Sequence, residues 1–517
     1  MVMPLSYLVM LPLEMASRFF SLLSPSRWLT RSLSSPPHST TTLHAGNLIA
    51  NRGFINQMAT ITVDGLPAIH PQHLAVWGGL SSAASIVSLV LGGYPSDRFG
   101  RKSMMALLTI LLVAAGAVEV TATSWKAWCG AKTLTGLSIG LAQGSVATYV
   151  SEVAPTRIRG ALLGLYSLMW GLGGLVAAIV LNAIQTSSTP NDYKRGLYST
   201  FGFAGMVMIL LLVIPESPRY YARRGNDEAA KKVLQRINGG VEGYNVELEY
   251  ATLKQEVEDG KQLAVLAKGI SFIDLFRGTN LRRTWISFAP FAWQQLIGIP
   301  VVFGYTSYFF QLAGLKNPFL GTVAVNVILL SGILASFYLV ERAGRRTLIN
   351  YGGLVMVASL VVIGGLGFTG VTSATSNATI FFMCLWVAAY STSAGPLGYV
   401  FLGESSTPIL RAKTSGAAAA GAGAFGLIFN YCSPLMLSAA PDGAGWGVKT
   451  AFFFAGTGFI GLVLLFFTIP ETKNRSYLEL DELFLRKIPA RRFATTKTSV
   501  DAVKEDAKED VKGEDPV

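Results

Sequence analysis

Long apolar runs dominate this chain. They fall near residues 72–94, 103–123, 127–151, 159–184 and 197–214, and again near 285–312, 318–340, 347–370, 378–402, 412–438 and 447–469. Each is long enough to cross a bilayer as a helix, and lipid offers no other partner for the backbone N–H and C=O groups of such a run. The composition agrees: 51% of the residues are hydrophobic and only 14% are charged, where a soluble domain carries about 25% charged residues. A water-soluble fold is excluded, and the chain reads as an all-α, polytopic membrane protein.

A formal net charge of +12 would suit nucleic acid, but the basic residues sit in short loops between apolar runs. That is the positive-inside pattern of a membrane protein, so the expected partner is the lipid bilayer and not nucleic acid. Loops holding Arg98, Arg101 and Lys102, then Arg157 and Arg159, then Arg342, Arg345 and Arg346, then Arg411 and Lys413 alternate with poorly charged ones. The basic loops therefore share the cytoplasmic side. Residues 215–283, charged and helix-forming, read as a cytoplasmic linker between a membrane half at 46–214 and another at 284–470. Residues 471–517 read as a cytoplasmic tail ending in a disordered Lys/Glu/Asp stretch, and 1–45 as a separate, atypical segment. Cys129, Cys384 and Cys432 all fall in expected spans, which argues against a disulfide framework. His38, His44, His70 and His73 have no metal-ligand spacing, and no phosphate-binding glycine loop with its lysine occurs. Neither a metal, a cofactor nor an enzyme activity is expected.

The chain repeats itself. Asp97-Arg-Phe-Gly-Arg-Lys102 recurs as Glu341-Arg-Ala-Gly-Arg-Arg346, Glu152-Val-Ala-Pro-Thr-Arg-Ile-Arg159 recurs as Glu404 to Arg411, and Pro215-Glu-Ser-Pro-Arg219 recurs as Pro470-Glu-Thr-Lys-Asn474. Three motifs in one order at nearly one spacing imply two homologous halves of six helices each, with a polar site between them at the midplane.

These motifs carry a family resemblance. Gly93-Tyr-Pro-Ser-Asp97-Arg-Phe-Gly100-Arg101-Lys102 resembles the signature loop between helices 2 and 3 of the major facilitator superfamily. Pro215-Glu-Ser-Pro-Arg219, Gln294-Gln295-Leu-Ile-Gly298-Ile and Pro470-Glu-Thr-Lys narrow it to the sugar porter family. Gly395-Pro-Leu-Gly-Tyr399, Gly403-Glu-Ser-Ser, and Leu480-Asp-Glu-Leu-Phe followed by Pro489-Ala-Arg-Arg-Phe-Ala-Thr-Thr-Lys are similar to its fungal α-glucoside and hexose transporter branch. The resemblance covers about residues 46–497. It implies a twelve-helix major facilitator fold working as a monomer. It also implies secondary active transport of a sugar, a hexose or an α-glucoside such as maltose, by alternating access with proton symport. Location in the plasma membrane with both termini cytoplasmic follows from the same reading. Two rival functions stay open: transport of a non-sugar metabolite, and a non-transporting nutrient sensor.

The first helix departs from the family pattern. Ser34-Ser-Pro-Pro-His-Ser-Thr-Thr-Thr-Leu43 is too polar for a bilayer core, and the apolar stretch from Pro4 to Leu23 is interrupted by Glu14 and Arg18. Helix 1 reads as incomplete or replaced: by a weak substitute span, by a targeting segment, or through a wrong first exon, with the last favoured. The aspartate that the family carries there is absent.

A sugar site needs forked amides, which donate and accept together, and aromatic faces for its C–H side. The resemblance assigns sugar contacts to Gln294, Gln295 and Asn326, with Tyr399 where many hexose porters have tryptophan. Asn430 is a further candidate ligand, with helix packing as its other reading. Ser167 and Pro300 stand where relatives often have glutamine and asparagine. Trp170 and Trp293 are read as ligand platforms or interface anchors. Asp97, Arg98 and Arg101, with Glu152, Arg159 and Glu216, read as a cytoplasmic gate, mirrored by Glu341, Arg345, Glu404, Arg411 and Glu471. Relatives couple protons through the helix 1 aspartate beside a basic residue of helix 4, a position held here by Lys132. Glu119 is the acid well inside a span. It and Lys132 each lie about six residues from the turn near Ser124 to Ala127, so an antiparallel hairpin sets both roughly 9 Å deep. The two are expected to pair and to serve proton coupling.

Overall fold

The computed structural model describes residues 47–500, except 64, 155–158, 186–189, 240–242, 269–271, 408–409 and 474. The readings of residues 1–45 and of the last part of the tail lie outside the described residues. The described chain opens with α1 (Arg52–Met58) and an antiparallel hairpin, β1 (Ile61–Val63) with β2 (Leu66–Ala68), in which Ile61 faces Ala68. The first half continues with α2 (Pro71–Leu91), the short α3 (Gly93–Phe99), α4 (Arg101–Thr121), α5 (Trp125–Val153), α6 (Arg159–Ala183) and α7 (Pro190–Val213). Helices α8 (Pro218–Arg223), α9 (Asp227–Asn238) and α10 (Val246–Lys268) form the linker. The second half holds α11 (Gly278–Leu296), α12 (Thr306–Leu312), α13 (Pro318–Ala343), α14 (Arg345–Leu366), α15 (Ser373–Thr392), α16 (Ala394–Ser405), α17 (Arg411–Leu437) and α18 (Thr450–Thr468). The tail carries α19 (Tyr477–Leu485).

Among the described residues, eight helices are long and apolar enough to cross a membrane. The other apolar runs are covered by α5, α6 and α11, of which α5 contains Lys126, Lys132 and Glu152, and α11 contains Arg282 and Arg283. The helices start where side chains meet their free N–H groups: Ser124 accepts from Ala127, Asn317 from Leu320, and Thr372 forms a capping box with Thr375. Inside the first half α2 packs on α5, and the halves meet where α17 lies on α2 and α13 on α6. Small residues permit this closeness, because a Cβ at Gly140 of α5 would stand 2.2 Å from the Ser85 carbonyl oxygen of α2. Away from these contacts, Phe459, Ile460, Val463, Leu464 and Phe467 of α18 are exposed, a surface suited to lipid and not to water.

Two apolar runs that look continuous in sequence are interrupted. Helix α11 stops at Leu296; Gly298 takes φ +106°, and a π-turn at Pro300–Gly304 leads into α12. The second break falls at Ser393, between α15 and α16. Pro300 and Pro396 have no N–H to continue a helical ladder, which accounts for both breaks.

The linker has its own small core of Ala222, Ala230, Leu234, Tyr250 and Val257. Lys254 binds Asp227 at 2.7 Å, and its hydrogen bond holds that carboxyl below the usual carboxylate range. The tail folds beneath α11. Arg283 meets Asp481 at 2.5 Å, Arg282 donates to the Ile488 carbonyl at 2.7 Å, and Phe484 and Phe493 are fully buried.

The repeated motifs build one arrangement twice. The N–H groups of Arg101 and Lys102, at the start of α4, donate to Glu216 at 3.0 and 3.1 Å. The N–H groups of Arg345 and Arg346, at the start of α14, donate to Glu471 at 3.0 and 3.0 Å. The Arg101 side chain then meets Glu152 at 3.0 Å and Asp97 at 2.9 Å, as the Arg345 side chain meets Glu404 at 3.3 Å and Glu341 at 2.9 Å. Gly100 and Gly344 precede the two arginines at φ +95° and +87°, and a Cβ there would lie 2.2 Å from Glu216 and 2.7 Å from Glu471. Gly100→Ala and Gly344→Ala should therefore each cost about 1–3 kcal/mol through backbone strain alone. Melting of the purified variants in detergent checks this, and the double variant should lose roughly the sum.

Candidate functional site

The two interruptions bring polar side chains together inside the second half. Gln294, in the last turn of α11, donates from Nε2 to the Ala394 carbonyl at 2.8 Å, where α15 gives way to α16. Its Oε1 accepts from the Tyr390 hydroxyl at 3.2 Å. Gln295 is half-buried, lies beside Gly426 of α17, and makes no side-chain hydrogen bond among the described residues. Asn326 of α13 is 2% exposed; its Nδ2 donates to the Thr322 carbonyl at 2.8 Å, while Oδ1 is buried without a partner. Tyr399 is 61% exposed and stands edge-on to Phe291 at 5.1 Å.

Asn430 is engaged between the halves. Its Nδ2 donates to Ser82 of α2 at 3.1 Å, and its carbonyl accepts from Tyr305 at 3.2 Å. Ser167 and Trp170 are half-buried on α6. Trp293 is fully buried and donates to the Gly458 carbonyl at 2.8 Å, so it anchors α11 on α18. Sequence reasoning missed Tyr390 and Trp386, whose rings stack at 5.3 Å, and Phe303, which lies 5.3 Å from Tyr390. The four-residue spacing of Trp386 and Tyr390 within one apolar run was the available signal.

Glu119 and Lys132 meet at 2.8 Å between α4 and α5, with side chains 1% and 6% exposed. The Lys132 ammonium also lies 4.8 Å from the Trp128 ring. Phe54 of α1 closes the space above, 4.9 Å from Trp128, 5.4 Å from Tyr193 and 6.1 Å from Trp77. Gln57 accepts from the Tyr193 hydroxyl at 2.7 Å. So α1 caps the far end of the first half.

The gate candidates sit at the opposite, linker-side end. Among the described residues, the ion pairs of the two repeated networks lie within their own halves or reach the linker. Asp97 also takes Arg223 of the linker at 3.3 Å. The Arg98 side chain stays out of the network and lies over Phe99 at 5.7 Å, while its carbonyl accepts from Tyr220 and Arg224. The side chains of Arg159 and Arg411 lie outside the described residues. Bonds across the halves instead gather at the far end: Ser307 N–H to Asn47 at 2.9 Å, Asn317 to Asn182 at 3.1 Å, and His70 to Asp442 at 3.3 Å.

With this geometry in view, the known proteins speak directly. The profile of the family described as "Sugar (and other) transporter" matches residues 53–484. The chain belongs to that sugar transporter family. Members of the family are membrane transporters, not enzymes, and this one is a multi-pass membrane protein of the major facilitator fold. It is 30% identical over 369 residues to the general alpha-glucoside permease of Saccharomyces cerevisiae, covering 70% of this chain and 59% of the permease. It is 26% identical over 434 residues to the major facilitator-type transporter ecdD of Aspergillus rugulosus, covering 80% of this chain and 79% of that one. The inward-open structure of the xylose transporter XylE from E. coli superposes with a TM-score of 0.71 at 22% identity, covering 88% of this chain and 98% of XylE.

The buried pair gives a sharp expectation. Lys132→Met leaves Glu119 enclosed without its cation and should destabilise the protein by about 3–5 kcal/mol, whereas Glu119→Leu/Lys132→Met together should restore most of the loss. Thermal melting of the three proteins in detergent decides it.

Proposed function

We propose that this protein carries a hexose or an α-glucoside such as maltose into the cell, across the plasma membrane, with both termini cytoplasmic. The observation that carries the reading is unmet amide groups within the second half: the partnerless Oδ1 of Asn326 on α13, and Gln295 at the interrupted end of α11, which makes no side-chain hydrogen bond among the described residues. A buried polar atom left unmet costs about 1–3 kcal/mol, and the hydroxyls of a sugar meet it. The exposed ring of Tyr399 offers an apolar face for the sugar's C–H side. Membership of the sugar transporter family and the likeness to an alpha-glucoside permease favour a sugar over other metabolites.

The cycle is alternating access. Among the described residues, bonds tie the halves at the end away from the linker, while the ion pairs of each network at the linker end stay off the opposite half, an arrangement suited to opening toward the cytoplasm. Asp97, Arg101, Glu152 and Glu216, with Glu341, Arg345, Glu404 and Glu471, keep the corner of each half rigid as the halves rock. Glu119 and Lys132 supply the titratable pair for proton coupling: a proton on Glu119 frees Lys132, and its loss restores the bond.

Uptake of labelled glucose and maltose, in cells lacking their own sugar carriers, tests the proposal. At least one sugar should enter, and a proton uncoupler should abolish its accumulation. Gln295→Ala and Asn326→Ala should each raise KM about tenfold, the loss of one good hydrogen bond. Glu119→Gln should flatten the dependence of uptake on external pH. Flux of a non-sugar metabolite with neither sugar carried, at verified expression, would overturn the substrate reading.

A further inference from the structure

Five cations gather on the linker-side rim of α14 and α18. Arg346 donates from Nη2 to the Phe466 carbonyl at 2.7 Å, and its guanidinium lies 5.5 Å from the Phe466 ring. The folded tail brings Arg491 over the same ring at 4.7 Å and over Phe467 at 4.4 Å. Lys473 donates to the Arg342 carbonyl at 2.8 Å, and Arg342 stands over Tyr338 at 5.5 Å. Arg492 is exposed beside Arg491.

Among the described residues, none of these five side chains pairs with a carboxylate. The nearby acids are occupied. Glu471 accepts the backbone N–H groups of Arg345, Arg346 and Lys473; Glu341 holds Arg345, Asp481 holds Arg283, and Glu482 holds Arg486 and Ser499. One Arg346 nitrogen, Nη1, is buried with no partner. Two guanidiniums thus share one aromatic ring, and the Glu471 carboxylate offsets their repulsion only in part, which is unfavourable at a low-dielectric edge.

The position of the patch indicates the missing charge. Phe466 and Phe467 form the last turn of α18, and Phe459, Ile460, Val463 and Leu464 continue an exposed apolar surface along the same helix. The cations therefore sit where a hydrocarbon-facing surface ends, at the level of lipid phosphates, on the side of the basic loops. We propose that this rim binds the phosphate of an acidic phospholipid, held by Arg346 and Arg491 and flanked by Lys473 and Arg492, with the acyl chains along Phe467 and Leu464. The lipid would join α14, α18 and the tail at one point.

The full chain, reconstituted in nanodiscs of phosphatidylcholine mixed with phosphatidylserine, tests this, with retained lipid read by native mass spectrometry after transfer to detergent. Wild type should keep phosphatidylserine in preference to phosphatidylcholine. Arg491→Gln and Arg346→Gln should each lower the retained phosphatidylserine about fivefold, the step for one basic residue at an acidic surface, while Arg491→Lys retains most of it. Exposed Lys232 of the linker provides the control, and Lys232→Gln should change nothing. Equal retention by wild type and Arg346→Gln/Arg491→Gln would overturn the site. Displacement of the lipid by inorganic phosphate would make it a site for a soluble anion. If wild type binds phosphatidylserine only after Asp501, Glu505, Asp506, Glu509, Asp510, Glu514 and Asp515 are neutralised, the occupant is the chain's own tail, and the lipid proposal fails. Retention is measured without any sugar, so its outcome is independent of the transported substrate.

Discussion

A backbone amide facing lipid has nothing to bond with, and this chain meets that demand most sharply at the start of α4 in one half and of α14 in the other. The N–H groups of Arg101 and Lys102 converge on Glu216, and those of Arg345 and Arg346 on Glu471. One carboxylate thereby joins the start of α4 to the end of α7, and its counterpart joins α14 to α18. With its backbone satisfied, each arginine sends its guanidinium to the acid at the end of α5 or α16. The glycine before it is fixed by the same contact, because the carboxylate occupies the space a side chain would need. Remove the carboxylate, and three helix ends in that half lose their common tie.

The second half departs from this regularity where polarity is needed. Gly298 and Pro300 end α11, Ser393 and Pro396 divide α15 from α16, and the carbonyl freed at the second break is taken up by Gln294 near the first. Broken helices inside a membrane persist only where side chains or a cavity satisfy the released groups. Gln294 does this for Ala394, and Tyr390 fixes the other end of its amide. The neighbouring Gln295 and the buried oxygen of Asn326 make no such bond among the described residues, which is why the proposed sugar site is set there.

The fold was largely legible in the chain. Apolar runs gave the spans, and the recurrence of Asp97 to Lys102 as Glu341 to Arg346 gave the duplication. Membership of the sugar transporter family agrees with both. The site was legible in residue type but less so in arrangement. Hydropathy averages over a run, so it passed across the breaks at Gly298 and Ser393, although the prolines were visible. The engagement of Gln294 by Tyr390 joins residues far apart in sequence, and no local pattern announces it. The gate was more legible: the repeated acids and arginines read as pairs within each half, and Arg101 with Glu152 and Arg345 with Glu404 form them, while Arg98 stays outside. Trp293 read as a platform or an anchor because aromatics serve both roles, and its burial and bond to Gly458 are those of an anchor.

The tail bears most on how the protein is handled in a cell. Residues 475–500 read as a charged appendage, yet Arg475 holds the carbonyls of Phe493, Ala494 and Thr496, and Arg283 and Phe493 tie the segment into the bundle. Cutting there would remove part of a packed interior and not a loose thread. A truncation before Phe493 would therefore uncover the part of the second half's interior that Phe484 and Phe493 now fill.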